Sequence, residues 1–235
     1  MESHLHLEIQ PQPDNTTCGP TCLHAVYRYY GDEAELGHVV QECSQLKEGG
    51  TLAVELGNHA LRRGYDATIY TYDLQMFDPT WFHPTPQPLA ERLVAQKKAK
   101  CKPKLHTATD SYLEFLERGG QIRMEDLSRW LIREYLNAAV PILTGLSATY
   151  LYRDAREAGP HWVPDDICGE PAGHFVVLTG YDRLTKRVKI ADPLHPNPLA
   201  ASQKYEVGID RVISAILLGI LTYDANMLIV RPRKA

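Results

Sequence analysis

The run His174–Asp182 (HFVVLTGYD) is rich in β-branched and aromatic residues, and after Arg183–Lys186 a second such run follows, Arg187–Asp192 (RVKIAD). The short intervening stretch suits a hairpin loop, so the two runs predict an antiparallel pair. This hairpin constrains the fold most, because everything upstream must supply layers to cover it. Ala139–Leu146, with Pro141 near its start, and Met227–Val230 predict two more strands, and Ile209–Gly219 a helix between them. The last third therefore reads as a sheet-forming region.

The first half has helical periodicity instead. Leu5, Leu7 and Ile9 alternate as in a short strand, and Pro11 and Pro13 exclude both helix and central strand from Gln10 to Asn15. A helix is predicted to begin near Cys18, with Pro20 in its first turn, one apolar side formed by Cys22, Val26, Tyr29 and Tyr30, and Gly31 ending it. A second helix is expected from Glu33 to Leu46. A third runs from Leu52 to Arg63, with Thr51 as cap and Gly64 as terminator. Ala67–Tyr72 predicts a strand. Between it and the next helices lies a segment crowded with Pro79, Pro84, Pro86 and Pro88, followed by five lysines from Lys97 to Lys104 on a helix end, read as a solvated face. Two further helices are expected near Asp110–Glu117 and Glu125–Leu136, the second burying Leu127, Trp130, Leu131 and Tyr135. Helices first and antiparallel strands after define an α+β class.

At 235 residues and 44% hydrophobic, the chain is expected to form a single domain over 1–235, with 73–120 an elaboration that borders a substrate cleft through Trp81 and Phe82. A net charge of −4 argues against nucleic acid as a partner. The longest apolar run, Val212–Leu221, is too short to span a bilayer, so no membrane partner is expected. The opening MESHLHLEIQ has no apolar signal region. With the odd count of five cysteines (Cys18, Cys22, Cys43, Cys101, Cys168), this predicts free thiols and a cytoplasmic location.

One thiol has a chemically suggestive place. Cys18 falls at the mouth of a helix, where unpaired backbone N–H groups and the positive end of the dipole favour a thiolate. Gly19 beside it is read as clearing an approach for substrate. The hairpin brings His174 near Asp192 across the strand pair. A carboxylate holding one imidazole nitrogen leaves the other to serve a thiol, which is the nucleophile, base and orienter arrangement. Gln12, six residues before Cys18, is placed to donate a side-chain N–H to an oxyanion together with the Cys18 backbone amide.

Gln12-x5-Cys18-Gly19-Pro20-x-Cys22-Leu23, followed by Tyr29-Tyr30-Gly31, resembles the nucleophile motif of the double-glycine, bacteriocin-processing cysteine peptidases, which are papain-like. His174-Phe175-Val176-Val177-Leu178-x-Gly180-Tyr181-Asp182 and the later Asp192-Pro193 resemble their second motif, in the same order. The resemblance implies a papain-like fold, with an N-terminal helical lobe carrying the cysteine and a C-terminal antiparallel sheet carrying His174 and Asp192. It implies Cys18 as nucleophile, His174 as base and then acid, Asp192 as orienter and Gln12 in the oxyanion hole. The substrate implied is a peptide or protein, with no cofactor and no metal. With no transporter attached at Ala235, the nearer likeness is to stand-alone, C39-like members. Acyl transfer to an amine, or a non-catalytic peptide-binding module on the same scaffold, stays open. A zinc site drawing on Cys18, Cys22, Cys168 and His174 has no compact ligand spacing, and His4 and His6 have no further ligands beside them.

Overall fold

The computed structural model describes residues 2–44 and 49–233. In chain order the elements are β1 (Glu2–His4), α1 (Cys18–Tyr29), α2 (Leu36–Glu42), α3 (Ala53–Arg62), β2 (Tyr65–Thr71), a 3-10 turn (Pro79–Trp81), α4 (Leu89–Ala99), α5 (Pro103–Glu117), β3 (Gln121–Arg123) and α6 (Arg129–Asn137). There follow β4 (Ile142–Ser147), α7 (Ala148–Tyr152), β5 (Glu157–Ala158), β6 (Val163–Pro164), β7 (Gly173–Asp182), β8 (Arg187–Ala191), β9 (Lys204–Gly208), α8 (Ile209–Leu218), a 3-10 turn (Gly219–Thr222) and β10 (Asn226–Pro232). The class is α+β.

One eight-stranded sheet runs β3-β2-β10-β4-β7-β8-β9, with β1 also paired to β7; β5 and β6 form a separate two-stranded ribbon. All pairings in the large sheet are antiparallel except β2 with β3. β4 covers Gly173–Leu178 of β7, and β1 continues along Gly180–Asp182. Both faces of the sheet are covered, which is why β7 reads as a nearly unbroken apolar run rather than an alternating one. Phe175 and Val177 join the cluster of α1, α3 and α5 with Leu23, Leu56 and Phe115. Val176 and Leu178 join that of α6, α7 and α8 with Ile132, Leu151 and Ile216.

Several expected features are corrected. Leu5, Leu7 and Ile9 alternate buried with exposed neighbours, yet the paired strand is only Glu2–His4. α1 is buried on every side from Cys18 to Tyr27, not along one stripe, because β7 and the neighbouring helices enclose it. α2 is shorter than expected at its start, and its expected end at Leu46 lies outside the described residues. Leu52, not Thr51, is the N-cap of α3, and no side chain caps it. α5 starts seven residues before Asp110 because Pro103 suits its first turn. Ser128 caps α6 by accepting from the Leu131 N–H, so the helix begins after Glu125, and Trp130 points to solvent at 65% exposure. Lys104 is not a solvated charge: its Nζ lies 4.1 Å over the Tyr223 ring. Trp81 and Phe82 pack edgewise on Phe77. No helix among the described residues is long and apolar enough to cross a membrane.

Candidate active site

The segment before α1 is fixed by local polar chemistry. Asp14 Oδ1 accepts from the Thr16 N–H and hydroxyl, both at 2.7 Å, and the Thr17 hydroxyl donates to the Asp14 carbonyl at 3.1 Å. These bonds close the turn that leads into the helix and leave its first turn without a side-chain cap. Cys18 therefore opens α1 among unpaired amides. It is buried to 9% exposure, and Gly19 beside it faces inward. A methyl at Gly19 would lie 3.1 Å from Leu56 and 3.3 Å from Phe175. The glycine thus lets the helix mouth seat on β7, and does not serve to clear a path for substrate. One turn on, Cys22 is fully buried with its Sγ donating to the Phe175 carbonyl at 3.3 Å, and burial pushes its pKa well up.

His174, second residue of β7, is buried, and its Nε2 lies 2.8 Å from Asp192 Oδ1. The remaining ring nitrogen is the one left for Cys18, which lies close enough to act electrostatically on the imidazole. Burial works against a charged ring, but the Asp192 charge, the adjoining Cys18 and the hydrogen bond to Asp192 outweigh it and raise the His174 pKa to about 10.

Asp192 follows β8 and has no solvent exposure. Its backbone is clamped: the N–H donates to the Gln203 carbonyl at 2.9 Å, and Gln203 Nε2 donates to its carbonyl at 3.2 Å. Besides His174, Oδ1 accepts from the Leu194 N–H at 2.9 Å. Oδ2 accepts from Tyr205 at 2.6 Å, Tyr152 at 2.7 Å and Asn197 at 3.0 Å. Burial alone would favour the neutral acid. The charge of His174 and these hydrogen bonds win, and hold the Asp192 pKa down to about 2. Tyr152, Asn197 and Tyr205 are absent from the sequence-derived site. Asn197 shares the short Asp192–Asn197 turn, but nothing local marks Tyr152 or Tyr205. They come from α7 and β9, two elements with no periodic signal strong enough to read.

Gln12 is tied to the same corner from the other side, since its N–H donates to the Pro193 carbonyl at 2.9 Å. Its side-chain amide donates to the Asp14 carbonyl at 2.9 Å, and its Oε1 is buried without a partner. One N–H of the amide is left beyond that bond. Cys18, His174 and Asp192 thus come together, with Gln12 anchored beside the Asp192–Pro193 turn. Among the described residues, no three His, Cys, Asp or Glu side chains cluster as a metal site. Cys168 is exposed, and its N–H donates to Asp165 at 2.8 Å. His4 and His6 stack edgewise with ring centres 5.0 Å apart.

A family model described as Peptidase_C39 like matches residues 90–212, a stretch holding both His174 and Asp192. Among solved structures, a C39-like peptidase from Bacillus anthracis is similar at TM-score 0.50 and 14% identity, with 100% of each chain covered. The peptidase domain of ComA, an ABC transporter of Streptococcus, gives TM-score 0.46 at 14% identity, covering 97% of this chain and 100% of that one. Xylellain, a cysteine protease from Xylella fastidiosa, gives 0.48 at 11% identity, covering 99% of this chain and 86% of that one. No curated protein matches. The Bacillus structure shares the fold expected from the sequence resemblance.

Proposed function

The chain belongs to the Peptidase_C39 like family, and on that premise we propose that it is a cysteine peptidase using Cys18, His174 and Asp192 to hydrolyse a peptide or peptide-like amide bond. The observation that carries this reading is the 2.8 Å bond from His174 to Asp192, with Cys18, first residue of a helix, close enough to act on the same ring.

In this mechanism the Cys18 sulfur attacks the scissile carbonyl carbon as a thiolate, favoured by the uncapped first turn of α1 and by the positive imidazole beside it. The carbonyl oxygen takes up the negative charge. The Gln12 amide and the Cys18 backbone N–H donate to that oxyanion, Gln12 sharing or exchanging its present bond to Asp14. His174 then gives its proton to the leaving amine, and the C–N bond breaks to leave a thioester on Cys18. A water, deprotonated by His174, attacks the thioester and releases the acid and the thiol. Asp192 keeps the ring in one orientation throughout, its own position fixed by Tyr152, Asn197 and Tyr205.

Cleavage profiling on mixed peptide libraries, with Cys18→Ala as control, tests the reading. Cleavage by the parent protein and none by the variant is expected; equal cleavage by both removes Cys18 from the role. A trapped acyl-enzyme that persists in water but collapses on adding a primary amine would reassign the same site to acyl transfer.

A further inference from the structure

The chain makes unusual room for one carboxylate next to this site. Asp224 lies between the last 3-10 turn and β10, and the backbone bends sharply to place it. Tyr223 before it takes φ +68°, a left-handed conformation that a side-chain-bearing residue rarely adopts. The Asp224 N–H donates to the Gly219 carbonyl at 2.8 Å. Two glycines on neighbouring strands then yield space. A methyl at Gly145 of β4 would come 2.5 Å from the Asp224 carbonyl oxygen and 2.9 Å from its Cβ, so this glycine admits the backbone of the bend, while one at Gly173 of β7 would overlap the Asp224 Oδ2 and the Thr222 hydroxyl. Gly173 immediately precedes His174, so the carboxylate lies against the start of the strand that carries the imidazole. It lies on the face of the sheet that also carries Phe175, against which the Cys18–Gly19 helix mouth is seated.

Asp224 is half-buried. Among the described residues, no lysine, arginine or histidine nitrogen is within the 4.0 Å of an ion pair. The groups facing it are His174 from β7, Lys104 and Tyr112 from α5, Asp73 after β2, and its own neighbour Thr222, whose hydroxyl donates to the Gly219 carbonyl at 3.1 Å. Lys104, the one flexible cation in this set, is drawn to the Tyr223 ring. Burial raises the Asp224 pKa to about 7, so a cation arriving beside it would stabilise its charged form.

Resting on the peptidase reading above, we infer that Asp224 is a specificity-determining residue, a carboxylate that receives a cationic group of the substrate, ammonium or guanidinium, next to the bond attacked by Cys18. The backbone bend, the glycine cradle and the lack of an ion-pair partner are what such a receiver requires.

The test uses two thiol-reactive methanethiosulfonates of similar size, one bearing a trimethylammonium group and one a sulfonate. In each, a thiolate forms a mixed disulfide and expels methanesulfinate, and the rates at each cysteine are read by peptide mass spectrometry. The ratio of the two rates cancels the thiolate fraction and reports local charge alone. In the parent protein Cys18 is expected to favour the cationic reagent. In Asp224→Asn that preference should fall by about tenfold, the scale of one unit charge acting a few ångströms away, while the ratio at exposed Cys101 stays constant. The parent ratio should also fall between pH 8.5 and pH 5.5, as Asp224 gains a proton, and this arm decides the matter should the variant fail to fold. A reactive Cys18 whose ratio changes neither with the substitution nor with pH overturns the assignment of Asp224 and leaves the peptidase reading standing. A Cys18 inert to both reagents overturns both.

Discussion

The Tyr205 hydroxyl lies 2.6 Å from Asp192 Oδ2, the oxygen opposite the one that holds His174. The bond spans the β8–β9 pair and ties the carboxylate to a strand that otherwise has no part in the site. Tyr205→Phe removes a donor from a buried charge without changing the ring's shape. A hydrogen bond to a charged group contributes about 1.5–3 kcal/mol, so urea unfolding at neutral pH should show a loss of that size. A variant as stable as the parent would mean that Tyr152 and Asn197 alone satisfy Oδ2.

The buried pair should give stability an optimum in pH. Asp192 titrates near 2 when folded against about 3.9 in an unfolded chain. Its contribution, about 2–3 kcal/mol at 1.36 kcal/mol per unit, is present above pH 4 and lost as pH falls through 2. His174 is raised, from about 6.5 to about 10, so its contribution is full below pH 6.5 and lost as pH rises through 10. The His174–Asp192 pair contributes to both slopes. Urea midpoints measured across pH 2–10 should plateau between about 4 and 6.5, and Asp192→Asn should flatten both sides.

That pairing was only half legible. Counting back from the Arg183–Lys186 loop, an unbroken ladder from Asp182↔Arg187 would put Asp192 across from Val177, facing away from His174. The register instead shifts between Leu178 and Gly180, leaving Thr179 as an extra residue and pairing Val177 with Ala191. Asp192 therefore follows on the side shared by Val176 and His174. Residue types put His174 and Asp192 at the right ends of two strands, but a bulge is a property of the ladder, and its one-residue step decides which face the carboxylate takes. Longer periodic segments were easier. α8 and β7 fall within one residue of their expected bounds. α7 and β9 are too short to show a period, and with them went Tyr152 and Tyr205.

Thiol reactivity should separate the five cysteines. Burial raises Cys22 well up and Cys43 to about 12, so both should resist iodoacetamide until the chain unfolds. Cys101 and Cys168 are exposed and should label at the pace of ordinary thiols. Cys18, at a helix N-terminus and beside His174, should label first at pH 6. Mass spectrometry after limiting reagent reads the order; Cys101 or Cys168 modified ahead of Cys18 at that pH would contradict it.

Gln12→Ala separates catalysis from folding. Its side chain is held by one bond to the Asp14 carbonyl, while its backbone N–H, untouched by the substitution, keeps the tie to Pro193. Loss of one oxyanion donor should lower kcat by about 10²–10³. Cys18 labelling and the thermal midpoint should stay near the parent's, and an unchanged kcat would place the oxyanion elsewhere.

The elaboration over 73–120 should unfold with the rest of the chain. Phe115 of α5 is fully buried, with its ring against the positions that a methyl on Gly57 of α3 or on Gly120 would take, 2.6 and 2.5 Å away. Met76, Phe77, Leu93, Leu105 and Tyr112 lie in the same buried cluster as Leu23 and Leu56. The segment's apolar residues thus complete a core that α1 and α3 begin, and do not close one of their own. Phe115→Ala should cost about 3–5 kcal/mol, the usual range for emptying a buried aromatic site. The loss should appear in a single transition, seen at the same midpoint by far-ultraviolet circular dichroism and by tryptophan fluorescence. An early transition confined to one probe, with the remainder as stable as the parent, would mark 73–120 as a separately folding unit.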